Sequence, residues 1–131
     1  MIKNIRKIAS QNFSNWNNAL LTKNPKIVAA IYSENCTFLP TLSSDFKKGR
    51  RGAKKYFEHF LRKKPCSTII KESVHIIAAD TYVHSGLYNF SLGNSERKNI
   101  AKARFTFVWQ KNKNNIWQIL HHHSSLRLYR N

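Results

Sequence analysis

Residues 100–110, Ile-Ala-Lys-Ala-Arg-Phe-Thr-Phe-Val-Trp-Gln, decide how this chain folds. Ala101, Ala103, Phe105, Phe107 and Trp109 share one parity, while Lys102, Arg104, Thr106 and Val108 take the other. A period of two, with aromatic residues on one side, is the pattern of a half-buried strand. The same alternation fills residues 81–92, where Tyr82, His84, Gly86, Tyr88 and Phe90 fall together. Before it, residues 68–78 are rich in Thr, Ile and Val; after it, residues 116–128 read as a last strand. The breaks between these runs are short: Ala79-Asp80, a polar stretch at 93–99, and Lys111 to Asn115. Short turns make neighbouring strands antiparallel.

Toward the N-terminus the period changes. Residues 3–22 place Ile5, Ile8, Ala9, Phe13, Trp16 and Leu20 close to one helical face. Asn24 suits an N-cap and Pro25 a first helical position, so a second helix is expected from 25 to about 33, burying some of Ile27, Val28, Ile31 and Tyr32. Cys36–Thr41 reads as a short strand and residues 42–51 as a basic loop. A third helix follows at about 52–63, with Tyr56, Phe57, Phe60 and Leu61 as its apolar side, closed by Pro65. The helices must cover one face of the sheet. The expected fold class is therefore α+β: a cone-shaped, strongly curved antiparallel sheet wrapped around three helices from the N-terminal half. With 131 residues, one domain spanning 1–131 is expected.

Composition limits what such a domain does. Lys and Arg number 23 against 6 Asp and Glu, a formal net charge of +17. Leu, Ile, Val and Phe make up about 26% of residues, enough for a core and above the range of disordered chains. No apolar run approaches the roughly 20 residues that cross a bilayer. The basic start (Lys3, Arg6, Lys7) is not followed by a continuous apolar stretch, so no signal peptide and a cytoplasmic location are expected. The abundance of Lys, Asn and Ile is what AT-rich codons produce, so part of the charge is compositional. The charge still favours anions and opposes self-association. Cys36 and Cys66 form no CxxC pair, and free thiols are expected, with one disulfide as the alternative.

Three segments carry a family resemblance: Tyr56-Phe57-Glu58-His59-Phe60-Leu61, Val74-His75-Ile76-Ile77-Ala78-Ala79-Asp80, and Trp117-Gln118-Ile119-Leu120-His121-His122-His123-Ser124. Phe38-Leu39-Pro40-Thr41-Leu42 and Ala103-Arg104-Phe105-Thr106-Phe107-Val108 accompany them. From about Phe13 to Ser125 the chain resembles the nuclear transport factor 2-like, ketosteroid-isomerase-like cone fold. More narrowly, it is similar to the association (hub) domain of calcium/calmodulin-dependent protein kinase II and its small stand-alone relatives. The resemblance implies a homodimer or larger ring and a cone with a pocket. The arginines that line the kinase hub's pocket fall on Phe107 and Ser124 here, so that anionic-ligand site is not carried over. Fold alone does not settle activity.

The triple histidine is the sharpest local feature. On a strand, His121 and His123 share one face and His122 takes the other. If the cone closes over the His122 face, His122 joins Ser124, Phe107 and Tyr88. With the opposite parity, His121 and His123 line the interior beside Arg104. Arg104, mid-strand among apolar residues, needs a partner or an anion and is a candidate anchor for a small acidic ligand. Trp16, Tyr32, Tyr56 and Tyr88 are candidates for an aromatic lining, or for ordinary core. His122 is the candidate catalytic base for a lyase or isomerase of the ketosteroid-isomerase-like kind. No strand carboxylate is expected to face the cavity, since Glu34 and Glu58 read as helical and Glu72 and Glu96 as strand ends or loops. A His-x-His metal site lacks a positioned third ligand, with His84 and His75 the options, so no metal and no cofactor are expected. Three functions are open: small-molecule binding in an aromatic, partly basic pocket; lyase or isomerase chemistry on His122; and an oligomerisation scaffold or polyanion-binding module. Expected partners are the chain itself and a small acidic or aromatic ligand, with nucleic acid reached only through non-specific charge and no membrane.

Overall fold

The computed structural model describes residues 3–93 and 99–128. Helix α1 (Ile5–Leu21) and the short α2 (Pro25–Ala29) precede strand β1 (Tyr32–Leu39). A two-residue strand β2 (Lys47–Lys48) leads into α3 (Gly49–Phe60), which ends in a tight turn, Leu61–Lys63. The long strands follow: β3 (Cys66–Ala78), β4 (Thr81–Leu92), β5 (Asn99–Lys111) and β6 (Trp117–Leu126). All six strands form one curled sheet in the order β2-β1-β6-β5-β4-β3, with the helices drawn from the N-terminal half. This is the α+β architecture expected from the sequence. Its meander, β3 to β6, is antiparallel throughout.

Three boundaries differ from expectation. The second helix stops at Ala29, and Tyr32 opens β1 instead of closing that helix. Asn24 caps α2 as foreseen, accepting from the Lys26 amide at 3.0 Å. Tertiary pairing then overrides helix propensity, because the Ile31 carbonyl accepts from Ile119 of β6 at 2.8 Å. This pairing also makes β1 parallel to β6, the one non-antiparallel contact among the described strands. The basic loop at 42–51 is partly structured, since it contains β2 and the first turn of α3. The expected loop at 93–99 lies mostly outside the described residues.

The inward parity of the meander builds the core. Tyr82, His84, Tyr88, Phe105, Phe107 and Trp109 are buried, packed against Phe13, Trp16 and Leu20 of α1 and Phe57 and Phe60 of α3. Two bulges tune this face. One at Leu120 shifts parity within β6, so that Ile119, His122 and Ser124 all point inward. The other, around Ile70, presses β3 onto β4 at Gly86, where any Cβ would collide with the Lys71 carbonyl oxygen.

Candidate functional site

The centre of the cone is a single file of polar groups inside an aromatic shell. The imidazole of His122 lies between the rings of Phe107 and Phe38, stacked at centroid distances of 4.0 and 4.9 Å, with Trp16 edge-on at 5.6 Å. Trp16 Nε1 donates to the Tyr32 hydroxyl at 3.2 Å. An indole nitrogen can only donate, so Tyr32 accepts there and gives its own proton to His122 Nδ1, 2.8 Å away. With the proton assigned this way, Nε2 carries the imidazole hydrogen and donates to the Tyr88 hydroxyl at 3.2 Å. Tyr88 donates to Ser124, and Ser124 to the Thr41 hydroxyl. The Thr41 carbonyl in turn accepts from Tyr56 at 2.6 Å. The bonds form one continuous file from α1 to Thr41, where Tyr56 joins from α3, and each hydroxyl and ring nitrogen along it is engaged.

The titration behaviour follows from burial. Desolvation, with lesser repulsion from His121 and His123, holds His122 well below the ordinary imidazole value of 6.5. Burial likewise pushes the Tyr32 and Tyr88 phenols above their ordinary value of 10.0. The network is neutral at pH 7. Both nitrogens of His122 are hydrogen-bonded and both ring faces are covered, so it presents no lone pair to a substrate.

Of the residues singled out in the sequence, Trp16, Tyr32, Tyr88, Phe107, His122 and Ser124 come together here. Arg104, His121 and His123 do not, because they take the opposite strand parity. Arg104 is exposed on the outer face and donates to the Ser125 hydroxyl at 3.2 Å. His121 is half-buried there, its Nδ1 2.6 Å from the Thr37 hydroxyl, and His123 is exposed. Phe38 and Thr41 belong to the cluster but carried no signal in the sequence, because β1 reaches them only through its parallel pairing with β6.

A second polar pair corrects the expected placement of Glu72 at a strand end or loop, although its side chain stays 47% exposed. Glu72 lies within β3, not at its end, and its carboxylate meets Nε2 of buried His84 at 2.8 Å. The Ile70 bulge and the close approach at Gly86 bring the two strands together there. Plain counting back from the Ala79-Asp80 turn sets Glu72 opposite Leu87; the irregularity between Ile76 and Ala78 moves it opposite Gly86, two places from His84, and the sequence carries no signal for that shift. Burial pulls His84 below 6.5, opposed by the hydrogen bond and charge of Glu72. Among the described residues, no three His, Cys, Asp or Glu side chains converge as metal ligands, and no helix is long and apolar enough to cross a membrane. Cys36 is buried and Cys66 partly so, and the two are unpaired.

With this geometry in view, comparison with known proteins is informative. The profile of the calcium/calmodulin dependent protein kinase II association domain matches residues 5–127. The chain belongs to this family. A structure from Xanthomonas campestris described as such an association domain is 37% identical, with the match covering 96% of this chain and 89% of that one at a TM-score of 0.89. The association domain of the Caenorhabditis elegans kinase matches with a TM-score of 0.76 at 16% identity, over 94% of this chain and 96% of its own. A nuclear transport factor 2-like superfamily protein from Salmonella enterica gives 0.79 at 15% identity, over 97% and 94% of the two chains. At 15–16% identity these last two likenesses show the shared fold. A search of curated protein sequences returned no match. Membership of the family supports a scaffold role, in oligomerisation or ligand binding. At the centre of the cone Phe107 stacks on His122, and Ser124 is a link in the hydroxyl file.

Proposed function

We propose that the chain is a self-associating scaffold whose copies pack through the outer face of β4, β5 and β6. One observation carries this reading. Val83, Val108 and His121 form a row across the three strands, and Ser85, Thr106 and His123 form the next. These rows hold no Lys, Arg, Asp or Glu, on a chain whose net charge is +17. Charge appears only with the third row, Leu87, Arg104 and Ser125. A neutral, largely small-residue sheet face on so basic a molecule is what a self-complementary contact requires. The name of the family, an association domain, supports the same reading.

The filled interior favours a scaffold over a catalyst. The second histidine of the triplet holds the core together, both its nitrogens bonded to tyrosines. His84 is the other buried imidazole of the inner face: its Nε2 meets Glu72, and its Nδ1 has no partner among the described residues.

Light scattering on the eluting peak of a sizing column tests the proposal. The expected mass is a multiple of 15.3 kDa. It should rise with salt, because screening relieves repulsion between basic copies. Polyanion binding would instead weaken with salt. Val108→Glu should give a folded monomer. A wild-type monomer at tens of micromolar, or an unchanged mass for Val108→Glu, would overturn it.

A further inference from the structure

An open groove of about 1180 Å³ lies where the start of β5 outruns the end of β6. Leu42, Ile100, Leu126 and Leu128, four of the large apolar side chains the described structure leaves exposed, all line it. Lys102, Arg104 and Arg127 line it too. The described carboxylates are engaged elsewhere: Asp45 with Lys47, Glu34 with Arg50, Glu58 with Lys54 and Glu72 with His84. Asp80 sits at the far end of β4 from the groove. Among the described residues, then, the three cations meet no carboxylate. Among the described residues Arg104 spends one donor, on Ser125, and the rest of its fork meets no acceptor.

Backbone strain supplies an independent pointer. Leu42 has φ +63°, a left-handed conformation that costs a bulky residue energy. Thr41, the residue before it, is hydrogen-bonded at both its hydroxyl, by Ser124, and its carbonyl, by Tyr56. The strain presents a half-exposed leucine side chain to the groove. Strained residues of this kind gather where a fold grips something.

We propose that this groove binds an amphipathic monocarboxylate, its hydrocarbon part on Leu42, Ile100 and Leu126 and its carboxylate on the guanidinium of Arg104, with Lys102 and Arg127 adding charge. A carboxylate matches the guanidinium fork bidentately, and an apolar tail matches the wall. The site lies outside the packed interior and adjoins the proposed contact face at Arg104, the first charged row beside it.

Calorimetric titration of the full chain with sodium octanoate tests it, with 1-octanol and sodium sulfate as comparison probes. Octanoate is expected to bind at least tenfold more tightly than either. Arg104→Gln should weaken octanoate at least tenfold. Leu42→Gly should weaken it severalfold while leaving the urea midpoint unchanged or higher, since glycine relieves the positive φ. Equal binding by Arg104→Gln, or by 1-octanol, reduces the groove to an apolar patch and overturns the proposal. Equal binding by sulfate makes it a generic anion surface and does the same. Scattering masses on the same samples keep the two readings apart: if Arg104→Gln changes the mass and not octanoate binding, the groove is part of the contact between copies and the ligand proposal fails.

Discussion

His122 and its neighbours His121 and His123 differ in nothing but strand parity, yet they meet opposite environments. His122 is 1% exposed, sandwiched by two aromatic rings, with both nitrogens bonded to tyrosines. His121 shares one hydrogen bond with a threonine at the surface, and His123 stands in solvent. The same contrast runs along β5, with Phe105, Phe107 and Trp109 inside and Arg104, Thr106 and Val108 outside. The inner face specifies the fold through packing and a fully engaged polar file. The outer face is loosely constrained by the monomer, and is therefore the surface free to serve assembly or binding.

The sharpest way to break this comparison is Phe107→Ala. It removes the ring stacked on His122 at 4.0 Å and leaves a cavity in a packed core. A loss of about 3–5 kcal/mol in urea unfolding is expected, close to the whole stability of a small domain. A loss under ~1 kcal/mol would mean the interior is looser than its burial implies. Next comes Tyr88→Phe, which strips His122 Nε2–H and Ser124 of a partner without opening space. It should cost about 1–3 kcal/mol, more than deleting any one hydroxyl from the outer face.

Proton uptake sharpens the contrast more gently. His122 and His84 are held below 6.5 chiefly by burial, so the unfolded chain binds protons that the native chain refuses. Stability is then complete above about pH 6.5 and falls as the pH drops below it, with half-buried His121 adding in the same sense. Unfolding free energies at pH 7.5 and 5.5 should show the decline, and His122→Phe should flatten it. A profile equally steep in the variant would assign the protons elsewhere. The smallest effect belongs to His123→Ser, expected within about 0.5 kcal/mol of the parent, because the side chain has left water only slightly.

How much of this was legible beforehand follows from the range of each interaction. The parity of Phe105, Phe107 and Trp109, and of Tyr82, His84 and Tyr88, is a local pattern, and it grouped the residues that share the buried face while leaving open which parity turns inward. The Asn24 cap and the Ala79-Asp80 turn are also local and appear where expected. Arg104 read as a core cation because its neighbours on either side are apolar, but alternation turns it out to solvent. Glu72 was placed at a strand end because the length of β3 depends on how far β4 runs beside it.

The sequence by itself determined the class of element, the alternation of the meander and the residues able to form a core, since these follow from side-chain periodicity over a few residues. Only the tertiary structure decided that Tyr32 leaves a helix for a strand parallel to β6. Only it showed that the Leu120 bulge aligns Ile119 with His122, and that Thr41 and Phe38 close the network around the imidazole. The pairing of β1 with β6 and the closure by Thr41 and Phe38 rest on contacts between segments more than 80 residues apart, and the bulge on how β6 registers against β5, geometry that no local pattern encodes.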